Sequence, residues 1–89
     1  MKSYPNWIVR VRDRSTKDIS KFPKNDRERV LLALENLSLD PYGGDLEKMK
    51  GETMVWRRRV GNYRILFEIF AKERVIYVFS VERRTSATY

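Results

Sequence analysis

VWRRRVGNYRILFEI, residues 55–69, decides how this chain is read. Two runs rich in β-branched and aromatic residues flank Gly61–Asn62, a two-residue connection with glycine first, which is the signature of a type II′ hairpin. A two-residue turn fixes the pairing of everything beside it. Val60 should face Tyr63, Arg59 should face Arg64, Arg58 should face Ile65, and Arg57 should face Leu66. Side chains alternate between the two faces of a strand. One face therefore takes Trp56, Val60, Tyr63, Ile65 and Phe67, with Arg58 among them, and the other takes Arg57, Arg59, Arg64 and Glu68. Three guanidinium groups from two adjacent strands converge on one patch. Like charges directly opposed across a sheet destabilise it by up to ~1 kcal/mol. A bound anion relieves that repulsion, and the planar arginine fork matches phosphate oxygens two at a time. A solvated strand face explains one such arginine more readily than three that converge.

Outward from the hairpin, the elements follow in a simple order. WIVRVR (7–12) alternates apolar and charged residues at period two, as a half-buried strand does. Ser15 or Thr16 is placed to cap a short helix that ends at Phe22–Pro23, with Ile19 and Phe22 on one side. A second helix starts at Asn25 or Asp26, with Glu28 completing a capping box. Its apolar stripe is Val30, Leu34 and Leu37, broadened toward the core by Leu31. DPYGGD (40–45) is a loop. LEKMK reads as a short strand, AKER as a turn, and VIYVFSVERR as a last strand rich in β-branched and aromatic residues. The fold class is α+β: one small domain over 1–89, with an N-terminal strand, a two-helix hairpin on one face, and a three- to four-stranded antiparallel sheet.

Composition narrows the chemistry. The 89 residues include no Cys and no His, which removes thiolate and imidazole chemistry together. Asp40, Asp45 and Glu47 sit in or beside a glycine loop in a cationic region, so no metal or other cofactor is expected. No apolar run reaches membrane-spanning length, and MKSYPNW lacks a signal-type apolar stretch, so a soluble cytoplasmic protein is expected, with no membrane partner. The net charge is +7, and Lys48 to Arg64 carry six basic residues against Glu52 alone. No helical period segregates charge in that segment, so a polyanion held on a sheet fits better than a membrane surface. Trp7 and Trp56 belong to the core, while Tyr42 and Tyr89 are better placed to stack on bases.

KMKG at 48–51, WRRRVGNYRILFEI at 56–69 and VFSVERR at 78–84, in that order and spacing, resemble the RelE/ParE toxin superfamily of bacterial and archaeal toxin–antitoxin systems. The likeness covers nearly the whole chain. It implies a RelE-like fold and an endoribonuclease that cuts mRNA in the ribosomal A site. Arg57 and Arg59 match the basic positions of the first hairpin strand, and Arg64 matches the arginine after the aromatic of the second. Arg84, or its neighbour Arg83, matches the arginine of the C-terminal strand, and Tyr89 matches a C-terminal tyrosine. Glu47 stands where some branches carry a glutamate as base. The C-terminal histidine of other branches is absent here.

Cleavage by a 2′-hydroxyl needs a base, donors to the phosphorane, and a proton for the leaving oxygen. Arginines supply the donors, worth ~10²–10³ each in rate, but remain protonated and make poor bases. Proton transfer falls to Tyr89 or Glu47, while Lys48, Lys50, Arg58 and Arg83 suit RNA backbone contacts. The resemblance further implies a cognate antitoxin whose acidic segment covers the basic site, with operator DNA reached only through that antitoxin. Two other functions compete: a ParE-like inhibitor of DNA gyrase without nuclease activity, whose relatives generally lack the full basic set, and a non-catalytic RNA-binding module.

Overall fold

In the computed structural model, which describes residues 7–44, 46–48 and 55–83, the elements run β1 (Ile8–Val11), α1 (Asp13–Ser20), α2 (Lys24–Leu39), β2 (Leu46–Lys48), β3 (Val55–Val60), β4 (Tyr63–Phe70) and β5 (Val75–Arg83). The five strands form one sheet in the order β1-β5-β4-β3-β2. Strands β2 to β5 make the expected antiparallel sheet. The first strand joins it at the far edge and runs parallel to the last, with Ile8 opposite Val75 and Val11 opposite Val78. The α1–α2 pair carries the chain across one face from β1 to β2 at the opposite edge, and β2, β3 and β4 then lead back to β5 beside β1.

The register of the β3–β4 hairpin is the one its turn dictates, from Val60↔Tyr63 to Arg57↔Leu66. Gly61 has φ +58°, as the first position of a type II′ turn demands. Along β4, Tyr63, Ile65, Phe67 and Ile69 are buried, and the intervening residues are only half-buried. The buried set meets Val30, Ala33, Leu34 and Leu37 of α2 and Ile19 of α1, with Ile76, Val78 and Val81 from β5 completing the core. Trp7 and Trp56 are partly buried and pack against its margin.

Three local expectations are corrected. Ser15 does not cap α1. The helix begins at Asp13 after an extended Arg12, no side chain caps it, and Ser15 is turned into the protein with only 2% of its surface exposed. The capping box on Asn25 is likewise absent, because α2 starts one residue earlier, directly after Pro23. Pro23 presets the extended entry and leaves no cap to fill. Leu31 does not widen the core stripe. It is 49% exposed, and Ala33 takes the inward position instead, where its small side chain lets the helix lie close to the sheet.

Candidate nucleic-acid interface

The sheet has one face covered by the two helices and one face that no element among the described residues covers. Pairing across β2, β3, β4 and β5 determines which charges reach the open face. Glu47 lies opposite Arg57, Arg57 opposite Leu66, Arg59 opposite Arg64, and Arg64 opposite Glu82. Four neighbouring strands thus deliver Glu47, Arg57, Arg59, Arg64 and Glu82 to one surface.

Arg57 donates from Nη2 to Oε1 of Glu47 in a close ion pair. The side chain of Arg57 is 25% exposed and that of Glu47 is 62% exposed, so the carboxylate is the solvent-facing partner. The hydrogen bond from Arg57 holds the Glu47 carboxyl below the usual carboxylate value, its charge adds to the effect, and Arg59 contributes further. Arg64 occupies the central strand. Its Nε is buried and has no hydrogen-bond partner among the described residues. A buried guanidinium donor without an acceptor carries a desolvation cost that an incoming oxyanion would cancel.

Other basic residues go elsewhere, for reasons of register. Arg58 faces the helix side, where its guanidinium lies over the 40–44 loop. A Cβ on Gly44 would come within 2.8 Å of it, and the φ of +82° at Gly44 is what favours glycine there, since the guanidinium could shift aside. The Arg58 stem crosses the apolar margin while its charge reaches the edge. Lys48 stands on the same side, with Nζ 5.7 Å from the ring centroid of Trp56. Arg83 is opposite Tyr63 and so also projects from the helix side. Lys50, Arg84 and Tyr89 lie outside the described residues. Tyr42 is 52% exposed and meets Trp7 and Trp56 edge-on, at 6.2 and 6.0 Å between centroids.

Glu82 escapes a reading of the sequence alone. Its position beside Arg64 depends on a bulge in β5 between the pairs Leu66↔Ser80 and Phe67↔Val78, and no turn or glycine marks that bulge in VFSVER.

The same arrangement of elements recurs in solved structures. The RelE toxin in the isolated form from E. coli matches with a TM-score of 0.78 at 18% identity, covering 92% of this chain and 88% of that one, a likeness of fold alone. The RelB–RelE antitoxin–toxin complex from Methanococcus jannaschii matches at 31% identity and a TM-score of 0.72, covering 89% of this chain and 94% of the other. A curated relative from Methanocaldococcus jannaschii, described as a candidate toxin RelE1, is 26% identical over 82 residues, 89% of this chain and 91% of its own. Residues 9–87 match the family described as the ParE toxin of the type II toxin–antitoxin system parDE. That match runs from the first strand through the arginine-bearing hairpin and beyond the last strand, and the chain belongs to the ParE toxin family of type II toxin–antitoxin systems.

Proposed function

We propose that this toxin is a RelE-like endoribonuclease that cleaves mRNA in the ribosomal A site, acting in the cytoplasm with no cofactor. The observation that carries this reading is the convergence of Arg57, Arg59 and Arg64 with Glu47 on the uncovered face of the sheet. A passive binding module needs cationic surface, but it gains nothing from three guanidinium groups focused on one point beside a carboxylate. Focused donors suit a phosphorane, whose charge grows as the reaction proceeds.

Substrate phosphate competes with Glu47 for Arg57. Once Arg57 turns to the phosphate, Glu47 loses the hydrogen bond that depresses its pKa and becomes a better proton acceptor. Arg64 offers its buried Nε to a non-bridging oxygen. Of Glu47 and Tyr89, one takes the 2′-hydroxyl proton as the 2′-oxygen bonds to phosphorus and the other protonates the 5′-oxygen as its bond to phosphorus breaks. Arg84 joins the arginines on the phosphorane, Lys50 serves the RNA backbone, and Lys48, Arg58 and Arg83 reach that backbone from the edges of the helix side. With no histidine to shuttle protons the proton-transfer set is weak, and positioning of the 2′-hydroxyl in line by the ribosome would offset that weakness. The partners are therefore mRNA and the ribosome, and an antitoxin whose acidic segment competes for the same arginines. Operator DNA is reached through that antitoxin.

The family match itself favours a second reading, inhibition of DNA gyrase without nuclease chemistry. Adding the purified protein to programmed ribosomes, with 5′ ends mapped by primer extension, separates the two. A-site cuts that vanish in Arg64→Ala are the expected outcome. Absence of cuts on competent ribosomes, together with loss of gyrase supercoiling, would establish the second reading instead.

A further inference from the structure

Beside the arginine patch the sheet opens into a cleft of about 390 Å³ at the edge of β5. Its origin is topological. Strand β1 ends at Val11, opposite Val78, and the chain turns away into α1. From Phe79 onward the outer edge of β5 has no strand partner among the described residues, and the first turns of α1 stand across the gap. The bulge in β5 then alters what faces that gap. Val78 is in the core and Ser80 pairs with Leu66 on the open face, so Phe79 is the extra residue, and Phe79 and Ser80 project to the same side. A half-buried aromatic ring is thereby delivered to a cleft that Leu66 and Val81 also line. Arg12, just before α1, and Arg14 and Asp18 from α1 line it on one side, and Phe79, Ser80 and Glu82 from β5 line it on the other.

We propose that this cleft is a base-binding subsite for one unstacked nucleotide of a single-stranded RNA whose phosphate lies on the arginine patch. The proposal rests on the nuclease reading and names part of its substrate. Glu82 joins the two places: it lines the cleft and is the cross-strand neighbour of Arg64, a separation of ~5 Å between backbones. A nucleotide held at Arg64 by its phosphate has its base within reach of Phe79. Single-stranded RNA is recognised by such means, with bases stacked on aromatic rings or guanidinium planes and read on their hydrogen-bonding edges. Here the readers are Glu82 and Asp18, both acceptors when ionised, and Ser80, whose hydroxyl donates to Glu82 Oε2 at 3.5 Å and so orients it. Carboxylates accept from amino groups. Adenine, cytosine and guanine carry an exocyclic amino group and uracil does not, so the cleft should disfavour uridine.

The test uses the full chain, isotopically labelled, titrated with the four ribonucleoside 5′-monophosphates and followed by amide NMR. Shifts at Arg12–Ser15 and Phe79–Glu82 are expected, with uridine monophosphate weaker than the other three by roughly tenfold. Glu82→Gln should flatten that preference by lowering affinity for the other three toward that for uridine monophosphate, with the fold intact because Glu82 is exposed and contributes nothing to the core. Phe79→Leu should weaken all four alike. Shifts confined to the amides of Arg57, Arg59 and Arg64, equal for all four nucleotides, would overturn the subsite while leaving the nuclease reading standing. A cleft that responds to an extended acidic peptide and to no nucleotide would overturn it too, making the free edge a protein-docking strand. Selective binding in the cleft without any cleavage on ribosomes would sink the nuclease reading and keep the subsite.

Discussion

The two faces of the sheet are made from the same strands, yet they obey different rules. On the helix side every second residue of β4 is buried, and its polar groups find partners or an edge: Arg58 lies over Gly44, Lys48 against Trp56, and the Tyr63 hydroxyl on Asp26. On the open side Arg64 keeps a buried guanidinium Nε that has no acceptor among the described residues. Packing explains the first face residue by residue. It does not explain the second, and that residue of unexplained cost marks the site.

The contrast predicts opposite phenotypes for neighbouring substitutions. Phe67→Ala on the buried face should cost ~3–5 kcal/mol by opening a cavity in the core cluster beside its cross-strand partner Val78. Chemical denaturation should show a marginally folded or unfolded protein, and a loss below ~1 kcal/mol would mean that the core is not centred on β4. Arg64→Ala, three residues away on the open face, should leave the denaturation midpoint near that of the parent or raise it, since it removes the like-charge partner of Arg59. Cleavage on ribosomes should nevertheless fall by ~10²–10³. A variant that loses stability in proportion to activity would place Arg64 among the structural residues.

Tyr63 tests the boundary between the faces. It begins β4, is only 3% exposed, and its hydroxyl donates to Asp26 Oδ2 at 2.9 Å, joining the strand to the start of α2. Tyr63→Phe should cost ~1.5–3 kcal/mol, the usual range for a hydrogen bond to a charged group, with cleavage unchanged. The pH dependence carries a sign. Burial, and then the bond to Asp26, raise the Tyr63 pKa above that of free tyrosine. The unfolded chain therefore releases the phenolic proton first. Stability contributed by the neutral hydroxyl is complete below about pH 10 and is lost as pH climbs through the raised folded value. The phenylalanine variant should lack that alkaline decline, as urea titrations between pH 8 and 11 would reveal.

How much of this was legible beforehand follows from the range of the forces involved. The hairpin register was readable because a two-residue turn sets it locally, and the arginine patch followed from register alone. The α2 stripe was readable at Val30, Leu34 and Leu37, but the choice between Leu31 and Ala33 depends on how closely the helix lies on the sheet, which no helical period encodes. The placement of β1 beside β5 joins residues more than sixty apart and depends on the whole intervening path through both helices and three strands. The β5 bulge, and with it Glu82 and Phe79, arises from matching β5 to β4 and from the end of β1. Ser15 looked like a cap because serine caps helices; the packing of α1 against β5 buried it instead.

The smallest predicted effect is the most diagnostic of how the open face is poised. In the free protein Glu47 occupies Arg57, and its depressed pKa records that pairing. RNA phosphate must displace the carboxylate, so Glu47→Gln should tighten binding of a non-cleavable 2′-O-methyl RNA by about two- to fivefold, as expected for release of an exposed ion pair. The pH profile distinguishes this from a general change in net charge. In the parent, the pair contributes to stability above the ordinary glutamate range, and the contribution disappears as pH falls through the depressed folded value. Over that same acid interval protonation should free Arg57 and raise RNA affinity toward that of the variant, whose own affinity stays flat. Equal affinities for parent and variant across the interval would mean that Arg57 is not held back by Glu47, and that the two residues meet only as cross-strand neighbours.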